Sequence, residues 1–404
     1  MQGLSSMFLA ITCLLAFARR AAGIALPDSS GSYKDDAMPG FKENPEDWIY
    51  SGQMLSVPRS SIAATSVGHF ALFAGGRLQN DLYTDVVDIF NKQTGKWTIS
   101  HLSSSRSSIG AGSVAGRYAL FAGGLDASFR PMSVVDVYDT ETSKWSTLNL
   151  HTPRSSPKIL DLGTVSAIVG GLSGDLQYLS RSVDYVNANL AISNDTLQID
   201  YPQFGVAISD SANGLGLFTS GYQNNRPGER FNDFQPSNQT TVFEATDSAV
   251  SHTTDQTFPY PRWGAGGAAV NRVFAIGGGH LFGDGLSEPL TTVVDRVDIY
   301  DAGTGEWVST PLKLSVPRDY PLVQTLGDYI VFVSGTDQSK DFDILDTRSL
   351  AFIANTHHKP SLYTLRYDAS AVTVDNCLLI VAGGLVYQGR STTGSVEMFD
   401  ACIH

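Results

Sequence analysis

Seven short apolar runs, each closed by a doublet of small residues, predict an all-β chain folded as a seven-bladed β-propeller. The runs are Leu72-Phe73-Ala74-Gly75-Gly76, Leu120-Phe121-Ala122-Gly123-Gly124, Ile168-Val169-Gly170-Gly171, Leu217-Phe218-Thr219-Ser220-Gly221, Phe274-Ala275-Ile276-Gly277-Gly278, Val331-Phe332-Val333-Ser334-Gly335 and Ile380-Val381-Ala382-Gly383-Gly384. Successive doublets stand 47 to 57 residues apart, the period of a repeated supersecondary unit rather than of one irregular core. Within a period, four strand-like stretches alternate with turns, which matches one four-stranded blade.

The elements follow in chain order. Residues 1–23 read as a secretory signal: Met7 to Ala18 is apolar but too short to span a bilayer, and Ala21-Ala22-Gly23 offers small residues to a peptidase. Residues 24–45 read as a linker, and 46–404 as the propeller. Blade 2 shows the pattern most fully. A small-residue strand starts at Arg106, a buried strand runs from Tyr118 to the doublet, Val134 to Asp139 alternates, and Trp145 opens a fourth strand.

The glycine doublet, the Val-Asp-x-Tyr-Asp strand and the tryptophan that follows resemble the kelch repeat. Val87-Asp88-Ile89-Phe90-Asn91 with Trp97 and Val297-Asp298-Ile299-Tyr300-Asp301 with Trp307 repeat it in blades 1 and 5. Blades 3 and 6 keep Val183-Asp184-Tyr185 and Phe342-Asp343-Ile344-Leu345-Asp346 without the tryptophan. Blade 7 has Val396-Glu397-Met398-Phe399-Asp400, and blade 4 only Val242-Phe243-Glu244. The sequence stops after the third strand of blade 7, whereas Asp47-Trp48-Ile49-Tyr50 reads as an unpaired fourth strand ahead of blade 1. Trp48 precedes Arg59 by the same spacing that separates Trp307 from Arg318, so the N-terminal strand is expected to complete blade 7 and hide its edge.

Cys13 leaves with the signal. Cys377 begins the second strand of blade 7 and Cys402 ends the third, so antiparallel pairing brings them side by side for a disulfide. Asn194-Asp195-Thr196 and Asn238-Gln239-Thr240 are glycosylation triplets in loops, so Asn194 and Asn238 are candidate acceptors. The formal charge of −13 disfavours nucleic acid and anionic lipid as partners, and no later apolar run reaches membrane-spanning length.

The starts of the innermost strands align as Arg59, Arg106, Arg154, Gln203, Arg262, Arg318 and Arg366. The next residue is Ser60, Ser107 or Ser155 in the first three blades, then Phe204, Trp263, Asp319 and Tyr367. Tyr320 and Asp368 follow one place later. Two readings fit these arginines. They bond carbonyls and acids within the propeller, or they line a rim where guanidiniums grip carboxylates and aromatic faces take sugar rings. The long loops Gly221 to Thr241, with Arg226, Glu229, Arg230 and Asp233, and Gly278 to Thr292, with His280, Phe282, Asp284 and Glu288, lie at the same end.

The leading expectation is a secreted recognition module that binds an extracellular peptide, protein or glycan at this rim. The alternative is a carbohydrate-modifying enzyme. Some kelch-like propellers are sugar epimerases, and the resemblance implies that Asp319, Asp368, Arg262, Arg318 and His280 would assemble such a site. Others are copper radical oxidases, which need two histidines, tyrosines and a tyrosine-linked cysteine. Both mature cysteines are committed elsewhere, His357-His358 would point to opposite strand faces, and neither a nucleophile elbow nor a phosphate loop occurs, so no metal or other cofactor is expected.

Overall fold

The computed structural model describes residues 42, 44–174, 176, 178–193, 197–199, 203–204, 207–210, 214–224, 234–245, 250–281, 292–336, 338–353, 360–386 and 391–403. Seven antiparallel sheets, each ordered from an innermost to an outermost strand, form the blades of a β-propeller. In blade 2 the strands are Gly110–Val114, Tyr118–Ala122, Val134–Asp139 and Lys144–Asn149. The innermost strands of blades 1, 2 and 5 are rich in glycine and alanine where neighbouring blades nearly touch: a Cβ on Gly110 would lie 2.5 Å from the Pro157 carbonyl oxygen of blade 3. Those of blades 3 and 6, Lys158–Asp161 and Leu322–Leu326, carry larger residues. Second strands are apolar and almost wholly buried, while outermost strands such as Lys144–Asn149 alternate exposed and half-buried positions.

The doublets have two steric tasks. A Cβ on Gly75 would lie 2.7 Å from the Arg106 carbonyl oxygen of the next blade, and one on Gly76 would lie 2.5 Å from the Ser60 carbonyl of its own. Both residues hold positive φ, which glycine adopts without strain. The close approach lets the second residue of the doublet donate its N–H to the next blade's arginine carbonyl. Gly76 reaches Arg106 at 3.0 Å, Gly124 reaches Arg154 at 3.0 Å and Gly221 reaches Arg262 at 2.7 Å. In blade 5, where three glycines run together, Gly277 ends the strand and the doublet is Gly278-Gly279 rather than Gly277-Gly278, so Gly279 reaches Arg318 at 2.8 Å. Gly384 of blade 7 reaches Arg59 of blade 1 at 2.9 Å, so the same bond closes the ring. Where serine replaces the first glycine, in blades 4 and 6, the Oγ of Ser220 or Ser334 donates to the carbonyl of Arg262 or Arg366.

Closure follows the expected route. Blade 7 is Ser370–Val374, Leu378–Ala382, Ser395–Asp400 and, outermost, Ile49–Met54. Cys377 and Cys402 form a disulfide with Cα atoms 5.1 Å apart. The tryptophan spacing, however, misaligns the closing strand. Tyr50 pairs with Phe399 as Trp97 pairs with Phe90 and Trp145 with Tyr138. Their ring centroids lie 5.5, 5.1 and 5.0 Å apart. Trp48 precedes the strand, buried in the core shared by blades 6, 7 and 1, and its Nε1 donates to the Lys42 carbonyl at 3.0 Å. The misleading comparison was blade 5, whose fourth strand is broken into Glu306–Trp307 and Leu312–Lys313; the break lengthens the path from Trp307 to Arg318. Among the described residues no helix is long and apolar enough to cross a membrane.

Candidate functional site

The aligned arginines are not on the rim surface. Arg59, Arg106, Arg154, Arg262, Arg318 and Arg366 are all 0% exposed. Each turns into its own blade and meets the acid of the third strand. Arg59 faces Asp88 at 2.7 Å, Arg106, Arg154 and Arg262 face Asp136, Asp184 and Asp298 at 2.6 Å, and Arg318 faces Asp343 at 2.8 Å. Arg366 takes Glu397. Backbone carbonyls use the remaining donors: Arg106 Nε reaches Gly123 at 2.9 Å and Nη2 reaches Phe121 at 3.1 Å. The acid in turn accepts a backbone N–H from the crossover entering the blade, as Asp88 does from Ser56 at 2.9 Å and Asp343 from Ser315 at 3.0 Å. Burial pulls five of these guanidiniums below their ordinary value while the paired acid opposes the shift. Gln203, which pairs by backbone with Gln223, replaces the arginine in blade 4, and there Thr241 occupies the acid's register.

One place further on, the residue after the arginine bridges the residue after the doublet: Ser60 with Arg77, Ser107 with Leu125, Ser155 with Leu172, Trp263 with His280 and Tyr367 with Leu385. Phe204 pairs with Tyr222 in the same way. The next position enters the left-handed region in the six blades where it is described, at Ser61, Ser108, Ser156, Gly264, Tyr320 and Asp368. This kink delays the innermost strand, so in blade 2 it starts at Gly110 rather than Arg106. These kinked residues link head to tail across blades: Ser156 N–H to the Ser108 carbonyl at 2.7 Å, Tyr320 to Gly264 at 2.9 Å and Ser61 to Asp368 at 3.2 Å. They form the mouth of the axial channel. Serine tolerates φ near +50° at modest cost, whereas tyrosine at +46° is an outlier of the kind that clusters at working sites.

Two groups stand at this mouth. Between blades 5 and 6, His280 stacks on wholly buried Trp263 with centroids 4.9 Å apart, and its Nε2 faces a carboxylate oxygen of Asp319. Tyr320, 40% exposed, sets its edge against Trp263 at 5.4 Å. Gly264 makes room for it, since a Cβ there would lie 3.1 Å from Tyr320 Cε2. The Asp319 side chain is 32% exposed and His280's only 7%, so the carboxylate is the accessible member. Between blades 7 and 1, Asp368 accepts from Ser61 Oγ at 2.5 Å. Asp368 is exposed at the mouth, and partial desolvation by the surrounding rim raises its carboxyl above the usual range, against the hydrogen bonds from Ser61 and Ser60 and the charge of Arg77.

Tyr367 is half-buried beside Leu385. Asn238 is exposed. Asn194, Arg226, Glu229, Arg230, Asp233, Phe282, Asp284, Glu288 and the His357-His358 pair lie outside the described residues, as do 1–41.

No protein-family model matches the sequence, and no curated protein matches it. Among solved structures the chain is similar to a "novel fungal alcohol oxidase with catalytic diversity among the AA5 family, in complex with copper", at 14% identity and a TM-score of 0.61, over 89% of this chain and 77% of that one. It is also similar to the structure of YjhT, at 12% identity and a TM-score of 0.53, over 85% of this chain and 95% of that one. These likenesses share the propeller fold. The expectation of a recognition module is corrected here. One of these similar propellers is an oxidase, and the arginine grip on which the module depended is spent inside the blades. The tyrosine-linked cysteine of a copper radical site is not offered by this chain's described residues. Among those residues no three of His, Cys, Asp or Glu converge on one point, and the two mature cysteines are joined to each other.

Proposed function

We propose that this chain is a kelch-type propeller enzyme of the secretory pathway that moves protons on a carbohydrate at the mouth of its channel, in an epimerase-like reaction. The observation that carries the reading is the accessible Asp319 carboxylate backed by His280, on an aromatic platform of Trp263 with Tyr320 exposed beside it. Carbohydrate is the favoured class because an exposed aromatic face takes the C–H side of a sugar ring while carboxylates take its hydroxyls. In this scheme Asp319 accepts a proton from the substrate and His280 stabilises the change of charge. Asp368, held toward its neutral form, is the donor on the other side. Arg262 and Arg318 drop out of the scheme, since their guanidiniums stay inside the blades. The disulfide, the N-terminal segment 1–23 and the exposed Asn238 triplet support an oxidising compartment.

The test is a panel of monosaccharides and small glycosides incubated with the protein in D2O and followed by NMR. Exchange of a ring or anomeric-neighbour hydrogen, lowered roughly 100-fold or more by Asp319→Asn, is the expected result. Saturable binding without exchange or conversion across the panel would overturn the reading.

A further inference from the structure

The channel below the mouth carries a group that the mouth chemistry does not use. Its cavity, about 230 Å³, is walled by the innermost strands of blades 1, 2, 3, 6 and 7, with Ile62, Ile109, Pro157, Ile159 and Leu322 among its apolar sides. Four residues after the aligned arginine or Gln203, six blades place Ala63, Gly110, Ala207, Gly266, Leu322 and Ser370. Blade 3 alone places an amine there, Lys158, a half-buried residue among those that line the cavity. No carboxylate or carbonyl among the described residues engages it.

Confinement without a counter-ion pulls its amine below the ordinary lysine range. The acids on its own strand and on the adjoining innermost strand of blade 4, Asp161 and Asp210, stand at the opposite ends of those strands, and Asp161 is engaged by Ser113. The strands packed against it in blades 2 and 3, Gly110–Val114 and Val165–Val169, carry no titratable residue. The one hydroxyl on the cavity wall, Ser370, donates to the Ile62 carbonyl. A carboxylate guest would therefore meet a single donor in apolar surroundings, which is costly, whereas a neutral carbonyl compound needs no further polar partner.

We propose that Lys158 is a nucleophilic amine that captures a small, mostly apolar aldehyde or ketone as an imine in the axial channel. The Nζ lone pair attacks the carbonyl carbon. The two amine hydrogens pass to the carbonyl oxygen, which leaves as water, and a C=N bond replaces C=O with no change in oxidation state. This is independent of the sugar chemistry at the mouth, because an apolar aldehyde has none of the hydroxyls that Asp319 would address.

The experiment treats the folded protein with butanal and cyanoborohydride at pH 6 and maps the reduced adducts by peptide mass spectrometry. Lys158 should label at least about tenfold faster than Lys96 and Lys144, exposed on outer strands, because a depressed amine is more often unprotonated at that pH. Unfolding the protein in urea before labelling should remove the difference. Labelling of Lys158 at or below the rate of Lys96 and Lys144 overturns the proposal. The comparison is internal to one protein, so it does not depend on a variant folding. Lys158→Met should then abolish the fast adduct and leave sugar turnover at the mouth intact.

Discussion

The unit that repeats most faithfully in this molecule is a buried charge pair. An arginine at the head of the innermost strand and an acid two strands away satisfy each other and pin the incoming crossover by a backbone N–H. Breaking one such pair leaves an uncompensated buried charge. Arg106→Ala or Asp136→Asn should each lower the free energy of unfolding by about 3–5 kcal/mol, measured by urea denaturation. The pair was half legible in the sequence. Both columns were visible, but only blade 4 shows that they belong together, since Gln203 and Thr241 replace both members at once. Asp368 is a different case, an exposed carboxyl whose pKa the fold raises. Its raised pKa means that the folded chain holds the proton more tightly than the unfolded one. Stability contributed by that proton is complete below the ordinary carboxylate range and is lost as pH rises through the raised value. Asp368→Asn should therefore be more stable than the parent at neutral pH, with the difference vanishing in acid. Melting curves across pH 3–8 of both proteins would check this.

Strand positions were readable because each strand's burial follows its place in the blade. Val134–Asp139 sits where the alternation put it. What was not readable was the kink after each arginine, because Ser, Gly, Tyr and Asp share no composition that announces positive φ. The closing strand was placed correctly, but its register was read from a tryptophan that lies outside it. Packing at that position is set by whichever ring reaches the third strand, and besides tryptophan these are Tyr50, His252 and Phe352. Deleting 24–55 removes that strand and exposes the edge Ser395–Asp400, so the truncated protein should aggregate, seen as loss of the monomer peak in size-exclusion chromatography. The disulfide joins the second and third strands of the same blade and leaves the closing strand uncrosslinked. Replacing both Cys377 and Cys402 by serine should cost about 3 kcal/mol through the freed loop, measurable in the same urea titration.

At the scale of the whole molecule, near-identical blades build a symmetric ring, and chemistry enters where the symmetry fails. Positions that are serine in blades 1–3 become Trp263, Asp319, Tyr320, Tyr367 and Asp368 in blades 5–7, and that asymmetry was visible in the sequence. The orientation of the arginines was not, because a guanidinium column reads the same whether it faces the axis or the blade. With no described donor set for copper, turnover of a sugar substrate should be unchanged after dialysis against a chelator and unchanged again on adding copper; a rise on metal addition would contradict the assignment of the chemistry to Asp319 and His280. The closing sheet also has a temporal side. Ile49–Met54 leaves the ribosome well ahead of its partner Ser395–Asp400, with most of the propeller made in between. At translation rates of about 5–20 residues per second, that strand waits tens of seconds without its mate, so the nascent ring stays open and in need of shielding until Ser395–Asp400 has emerged.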